Sequence, residues 1–99
     1  MTETAETPVH PGKSLKRALE QLERPLAEVA RLLGLSRQTL YELFGEKQCL
    51  TPQVALRIAK LTATSAKEWL DLQQAYDLHE ARVEDADLLV RVPVLGERW

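Results

Sequence analysis

The chain is poor in cysteine, in aromatic residues and in long apolar runs. Its single cysteine, Cys49, allows no disulfide within the chain and lacks the companions that a zinc site needs. No apolar run approaches the ~20 residues that a membrane-spanning helix requires. Residues 1–9 have neither the basic start nor the apolar stretch of a secretory signal. These absences favour a cytoplasmic protein with no membrane partner and no structural metal.

The chain also has few residues that could support catalysis. His10, His79 and Cys49 are too scattered to place a nucleophile beside an oriented base. A glycine-rich phosphate loop is missing as well, because the chain has only four glycines. We therefore expect a protein that is not an enzyme and needs no cofactor. A chain of 99 residues is long enough for one hydrophobic core and too short for two.

Residues 30–44 carry the pattern of two short helices joined by a tight turn. Gly34 falls where the first helix must end in a left-handed conformation, which glycine adopts without a Cβ penalty. Ser36 can cap the second helix through its hydroxyl oxygen. This arrangement predicts a DNA-reading helix-turn-helix. The buried stripe of the second helix is predicted to be Leu40, Leu43 and Phe44, and its outward residues are predicted to be Arg37, Gln38, Tyr41 and Glu42.

The polar face of this second helix supplies the candidate DNA contacts. Arg37 and Gln38 belong to the first turn, which enters the major groove deepest, where arginine can pair with guanine and glutamine with adenine. Thr39 and Tyr41 would lie nearer the groove wall, and Lys47 is placed for phosphate. The alternative is that these side chains are solvated surface residues. The predicted DNA-binding residues are Ser36, Arg37, Gln38, Thr39, Tyr41 and Lys47.

The charge is unevenly divided along the chain. Residues 13–67 hold ten basic and five acidic residues, a net charge of +5. Residues 68–99 hold three basic and eight acidic residues, a net charge of −5. The basic part contains the helix-turn-helix, where attraction to phosphate matters. The acidic part fits a basic protein partner better than DNA.

Helical spacing of apolar residues predicts an all-α fold of five helices and a short tail. The first helix is expected from about Gly12 to Glu23, and the fifth from Ser65 to Arg82 or a little beyond. The predicted organisation is a flexible segment over residues 1–9, a helix-turn-helix domain over 10–84 and a tail over 85–99 that is available for dimer or partner contact. This architecture is that of a phage-repressor-like domain.

The residue types and their spacing also give expectations for the core and for the tail. Trp69 and Leu72 are expected to close the core, and Cys49 is expected to be a small buried residue. In the tail, alternating valines at 90, 92 and 94 are typical of a strand, but Pro93 limits that strand to an edge or an irregular segment.

Three motifs narrow the resemblance to one family. The sequence His10-Pro11-Gly12, the sequence Leu50-Thr51-Pro52 and the segment 69–78 (WLDLQQAYDL) are similar to the HigA family of antitoxins, over Val9 to about Arg82. The resemblance implies a homodimer that binds and neutralises a RelE/HigB-like mRNA interferase toxin. It also implies repression of the toxin–antitoxin operon through double-stranded operator DNA.

The chain departs from the family pattern at two places. Relatives often begin the second helix with a phosphate-binding glutamine, where this chain has Pro25-Leu26, and the backbone N–H of Leu26 remains available to a phosphate oxygen. Relatives usually follow the recognition helix with Asn-Gly-Lys, where this chain has Gly45-Glu46-Lys47. Two alternatives therefore stay open: a stand-alone repressor without a toxin, and a protein-only inhibitor that has lost DNA affinity.

Overall fold

A computed structural model describes residues 8–96, and this part of the chain is helical without any strand. Helices α1 to α5 follow the order expected for a phage-repressor-like domain, and a sixth helix follows them. The helices are α1 (Gly12–Glu20), α2 (Leu26–Leu33), α3 (Arg37–Phe44), α4 (Pro52–Thr62), α5 (Ala66–Glu84) and α6 (Ala86–Arg91). None of the helices over residues 8–96 combines the length and the apolar character needed to cross a membrane.

The turn between α2 and α3 forms as the sequence predicts. Gly34 ends α2 with a left-handed backbone at φ 71°, and its N–H donates to carbonyl oxygens of the last turn of α2. Ser36 caps α3, because its hydroxyl oxygen accepts a hydrogen bond from the backbone N–H of Thr39 at 3.0 Å. Both ends of the turn are therefore stabilised by local contacts.

A single core lies between α1, α2, α3, α4 and the first half of α5. Leu40 and Ile58 are completely buried at its centre. Trp69 closes the core from α5, as predicted, and its indole N–H donates to the Thr64 hydroxyl oxygen at 2.8 Å. The buried apolar residues are Leu15, Leu19, Val29, Ala30, Leu33, Leu40, Leu43, Leu50, Ala55, Ile58 and Trp69.

The N-terminus of α1 approaches the C-terminal end of α3 very closely. A Cβ atom on Gly12 would overlap the backbone carbonyl oxygen of Leu43. His10 is buried beside this contact and accepts a hydrogen bond from the backbone N–H of Gly12 at 3.0 Å. Its other ring nitrogen, Nε2, lies 3.0 Å from the backbone oxygen of Gln48. The segment before α1 thus joins α1 to the loop that follows α3.

Three expectations from the sequence were wrong, and a fourth was wrong in part. Helix α1 ends at Glu20 rather than Glu23, because the chain turns there and Glu23 adopts a left-handed backbone at φ 57°. Leu72 is 43% exposed instead of buried, and Cys49 is exposed. In the tail, residues 92–96 are irregular, as expected, but no strand forms among the described residues, and Val90 lies in α6 over residues 86–91. Six consecutive residues without proline or glycine favour helix there, and Pro93 lies beyond its end.

The described residues beyond the middle of α5 have no core of their own. From Glu80 to Gly96 every residue is exposed, and we call this segment the C-terminal arm. The arm carries the exposed apolar residues Val83, Leu88, Leu89, Val90, Val92, Val94 and Leu95. A helix of 19 residues is about 28 Å long, so the second half of α5 extends past the domain.

The contact between Gly12 and Leu43 gives a direct test of the packing of α1 against α3. We expect Gly12→Ala to lower the free energy of unfolding by about 1–3 kcal/mol, because the new methyl group must push against backbone. Chemical denaturation measures this change. Gly96→Ala is the matched control, since a Cβ there meets nothing within 4 Å. Equal stability of the two variants would contradict the described packing.

Candidate nucleic-acid interface

The polar face of α3 lies open to solvent. Arg37 and Gln38, in its first turn, are both exposed, and Tyr41 one turn later is 60% exposed. Beneath them Leu40 and Leu43 are buried in the core. The structure therefore brings the predicted base-reading residues together on one accessible surface, while their roles toward DNA stay predictions.

Two of the predicted contact residues also serve the local structure. The Ser36 hydroxyl caps α3 and lies 2.9 Å from the Thr39 hydroxyl. Thr39 is half-buried, so its hydroxyl faces Ser36 rather than extending freely. Lys47 is exposed in the loop after α3, and its backbone N–H donates to the Glu42 carbonyl oxygen at 2.8 Å. Its side chain thus starts from a fixed backbone position next to the recognition helix.

Glu42 links the recognition helix to the following loop. Its carboxylate accepts a hydrogen bond from the Gln38 amide nitrogen at 3.3 Å, one turn earlier on α3. The same carboxylate accepts a second hydrogen bond from the amide nitrogen of Gln48. Sequence reasoning placed Glu42 on the outer face but missed this pairing. Residues four apart on a helix are neighbours, but they form such a hydrogen bond only where one side chain can donate and the other can accept.

A shallow cleft runs beside α3 and extends the interface toward α1. Tyr41 and Phe44 of α3 line this cleft. Two basic side chains, Lys16 and Arg24, and the acidic Glu20 line it as well. Arg24 is held at 2.6 Å by Glu28, one turn further along the chain. Sequence reasoning did not single out Lys16 or Arg24, because their proximity to α3 depends on how α1 packs.

The acidic residue after α3 is partly neutralised by α1. Glu46 adopts a left-handed backbone at φ 63°, a conformation that glycine tolerates better. Gly45 is the C-cap of α3, but its own φ is −85°. The Glu46 carboxylate lies 3.6 Å from the Lys13 ammonium group, with the lysine side chain largely exposed. This pair reduces the negative charge next to the interface without removing it.

Two side chains of α5, away from the face of α3, have raised pKa values. The hydrogen bond to Asp71 raises the pKa of Lys67 above its ordinary value. The negative charge of Glu80 raises the pKa of the Tyr76 hydroxyl above its ordinary value. The Tyr76 ring packs edge-to-face against His10 at a centroid distance of 5.1 Å. The contact between Tyr76 and His10 thus joins α5 to the segment before α1.

The fold and this surface define a phage-repressor-like helix-turn-helix domain. Residues 15–69 match the helix-turn-helix family, and the chain belongs to that family. Among curated relatives, the uncharacterized HTH-type transcriptional regulator YddM of Escherichia coli K12 is 34% identical over 71 residues. That match covers 72% of this chain and 76% of YddM.

Solved structures confirm the resemblance to HigA-family antitoxins. The Pseudomonas aeruginosa antitoxin HigA, solved with higBA promoter DNA, is 28% identical with a TM-score of 0.77, and the match covers 89% of this chain and 99% of that one. The antitoxin GraA in complex with its operator is 27% identical with a TM-score of 0.81, over 98% of this chain and 100% of GraA. An addiction module antidote protein of the HigA family from Coxiella burnetii is 26% identical with a TM-score of 0.79, over 92% and 100% of the two chains.

The left-handed backbone of Glu46 gives a second test. Glu46→Gly and Glu46→Ala remove the same charge, but only glycine relieves the backbone conformation. We expect the glycine variant to be more stable than the alanine variant by about 0.5–1 kcal/mol, allowing for the greater entropy of unfolded glycine. Thermal or chemical unfolding of the two variants measures the difference. A glycine variant that is less stable than the alanine variant would refute a strained residue 46.

Proposed function

We propose that this protein is an antitoxin that represses its own operon and neutralises a RelE/HigB-like mRNA interferase toxin by direct binding. In this proposal α3 of each subunit of a homodimer reads double-stranded operator DNA. The operator complexes of GraA and of Pseudomonas aeruginosa HigA, which share this fold, support the first part.

The observation that carries the proposal is the open polar face of α3. Arg37 and Gln38 project from a helix that Leu40 and Leu43 fix in the core, so their backbone positions are set before DNA binds. A rigid base for the contacting side chains lowers the entropy lost on binding. Lys16, which lines the cleft beside Tyr41, and Lys47, which is exposed in the loop after α3, would neutralise phosphates.

Dimer formation follows from the small contact set of one helix-turn-helix. Two recognition helices about 34 Å apart would enter successive major grooves on one side of the DNA and double the contacts. The C-terminal arm supplies apolar surface for such a dimer, because Leu88 and Leu89 are each more than half exposed on α6. A short helix with this much exposed apolar surface is stabilised by a partner.

The arm is also the surface that best fits the toxin. It carries acidic residues at 80, 84, 85 and 87 and basic residues at 82 and 91, so its net charge is −2. The exposed apolar side chains at 83, 92, 94 and 95 belong to the same arm and remain for the toxin when Leu88 and Leu89 pack in the dimer. A basic toxin would be attracted by the charge and held by apolar contact. DNA, by contrast, would be repelled from the arm.

Arg37 gives the first test of DNA binding. We expect Arg37→Ala to weaken binding to the promoter DNA upstream of the gene by about 10- to 100-fold, because a bidentate contact to guanine is worth about 1–3 kcal/mol. Fluorescence anisotropy at fixed salt measures affinity, and titration at high protein concentration measures the number of chains per site. We expect two chains per operator site.

The control is Lys60→Ala, which removes an exposed basic side chain from α4, outside both the polar face of α3 and the C-terminal arm. It should bind DNA with nearly unchanged affinity. An Arg37→Ala protein that stays folded and binds the promoter with unchanged affinity would rule out this role for Arg37. If the unaltered protein does not bind its promoter, the repressor proposal fails and the protein-only inhibitor remains.

Co-expression with the adjacent reading frame tests the toxin. We expect the two proteins to copurify and the antitoxin to restore growth that the neighbour alone arrests. Replacing Asp85 and Asp87 by lysine should weaken copurification, because it reverses the charge of the arm. Arg37→Ala is the control, since a DNA-contact residue should leave toxin binding unchanged. A neighbour that neither arrests growth nor copurifies would leave a stand-alone repressor.

A further inference from the structure

We infer that Glu42 is a positioning residue that fixes the amide of Gln38 so that its carbonyl oxygen faces the base. Gln38 then selects an exocyclic amino group, adenine N6 or cytosine N4, on the DNA strand that it contacts. The inference rests on the proposed DNA binding and adds a preference for amino bases over keto bases at one position of the operator.

The hydrogen bond between Gln38 and Glu42 settles which way the amide points. A carboxylate can only accept hydrogen bonds, so the group that faces it must be the amide nitrogen of Gln38. The distance from this nitrogen to the Glu42 oxygen is 3.3 Å. The amide oxygen leaves the same carbon on the other side and takes no hydrogen bond from the described residues. It is therefore the acceptor that Gln38 presents to a partner.

Glu42 is itself held in place from the side of the loop. Its other carboxylate oxygen accepts a hydrogen bond from the amide nitrogen of Gln48. The backbone oxygen of Gln48 lies 3.0 Å from Nε2 of the buried His10. Because Nδ1 of His10 accepts from the Gly12 N–H, Nε2 carries the proton and donates to Gln48. These hydrogen bonds link Glu42, and through it Gln38, to the buried His10.

The orientation of the amide determines which bases can satisfy it. In the major groove, adenine N6 and cytosine N4 are donors, whereas guanine O6 and thymine O4 are acceptors. A glutamine oxygen facing an acceptor loses its hydrogen bond and is repelled. A freely rotating glutamine can instead turn its nitrogen toward a keto oxygen. The carboxylate of Glu42 opposes that rotation, because it would bring two oxygens together.

Selection of binding sites from random duplex DNA tests the inference. The selections use the unaltered protein and the variants Gln38→Ala, Glu42→Ala and Glu46→Gln. The position whose base preference disappears in Gln38→Ala is the one that Gln38 reads. At that position the unaltered protein should prefer adenine or cytosine over guanine or thymine by at least about fivefold, and Glu42→Ala should reduce this ratio to within about twofold of one.

Glu46→Gln is the matched control, because it removes a nearby negative charge without touching Gln38. Both acidic variants should bind all duplexes more tightly, but only Glu42→Ala should lose the preference. A preference that survives in Glu42→Ala, or a preference for guanine or thymine in the unaltered protein, overturns the inference while leaving the proposed function intact. Failure of the unaltered protein to select any site overturns both. Circular dichroism of each variant establishes that the domain is folded.

Discussion

The close approach of α1 to the end of α3 is the contact on which the rest of the molecule depends. A helix of eight residues is not stable in water by itself, so α3 holds its shape only through packing and caps. Gly12 allows the α1 backbone to reach Leu43, and Leu40 and Leu43 are buried in the core. The polar face of α3 is rigid because its apolar face is fixed in this way.

The helix-turn-helix could be predicted from the sequence because its determinants are local. Gly34, Ser36 and the spacing of Leu40 and Leu43 each act within a few residues, and α3 spans 37–44, the residues whose buried and outward faces the sequence predicts. The left-handed backbone of Glu46 could not be predicted. Glycine adopts this conformation more readily than glutamate does, so the local sequence would favour it at Gly45 instead.

The hydrogen-bond network around the site escaped sequence reasoning because its partners are far apart in the chain. His10 reaches Gln48 across 38 residues, and the Gln73 amide oxygen accepts from the Leu50 N–H across 23 residues. Such long-range contacts depend on how the helices pack, which the local sequence does not determine. Similarly, α6 was missed because alternating valines satisfy a strand pattern while adjacent leucines satisfy a helix, and short apolar runs do not distinguish the two.

The basic and acidic parts of the sequence lie on different elements of the fold. The basic side chains of α1 and of the loop after α3 flank the recognition helix, whereas the acidic arm leaves the domain from the second half of α5. Its first half is anchored by Trp69 and by the Gln73–Leu50 hydrogen bond at 2.7 Å. The two proposed partners would therefore contact different elements of the chain. In the proposed function neither partner would need the atoms that the other uses, so toxin binding and operator binding would not compete through α3 itself.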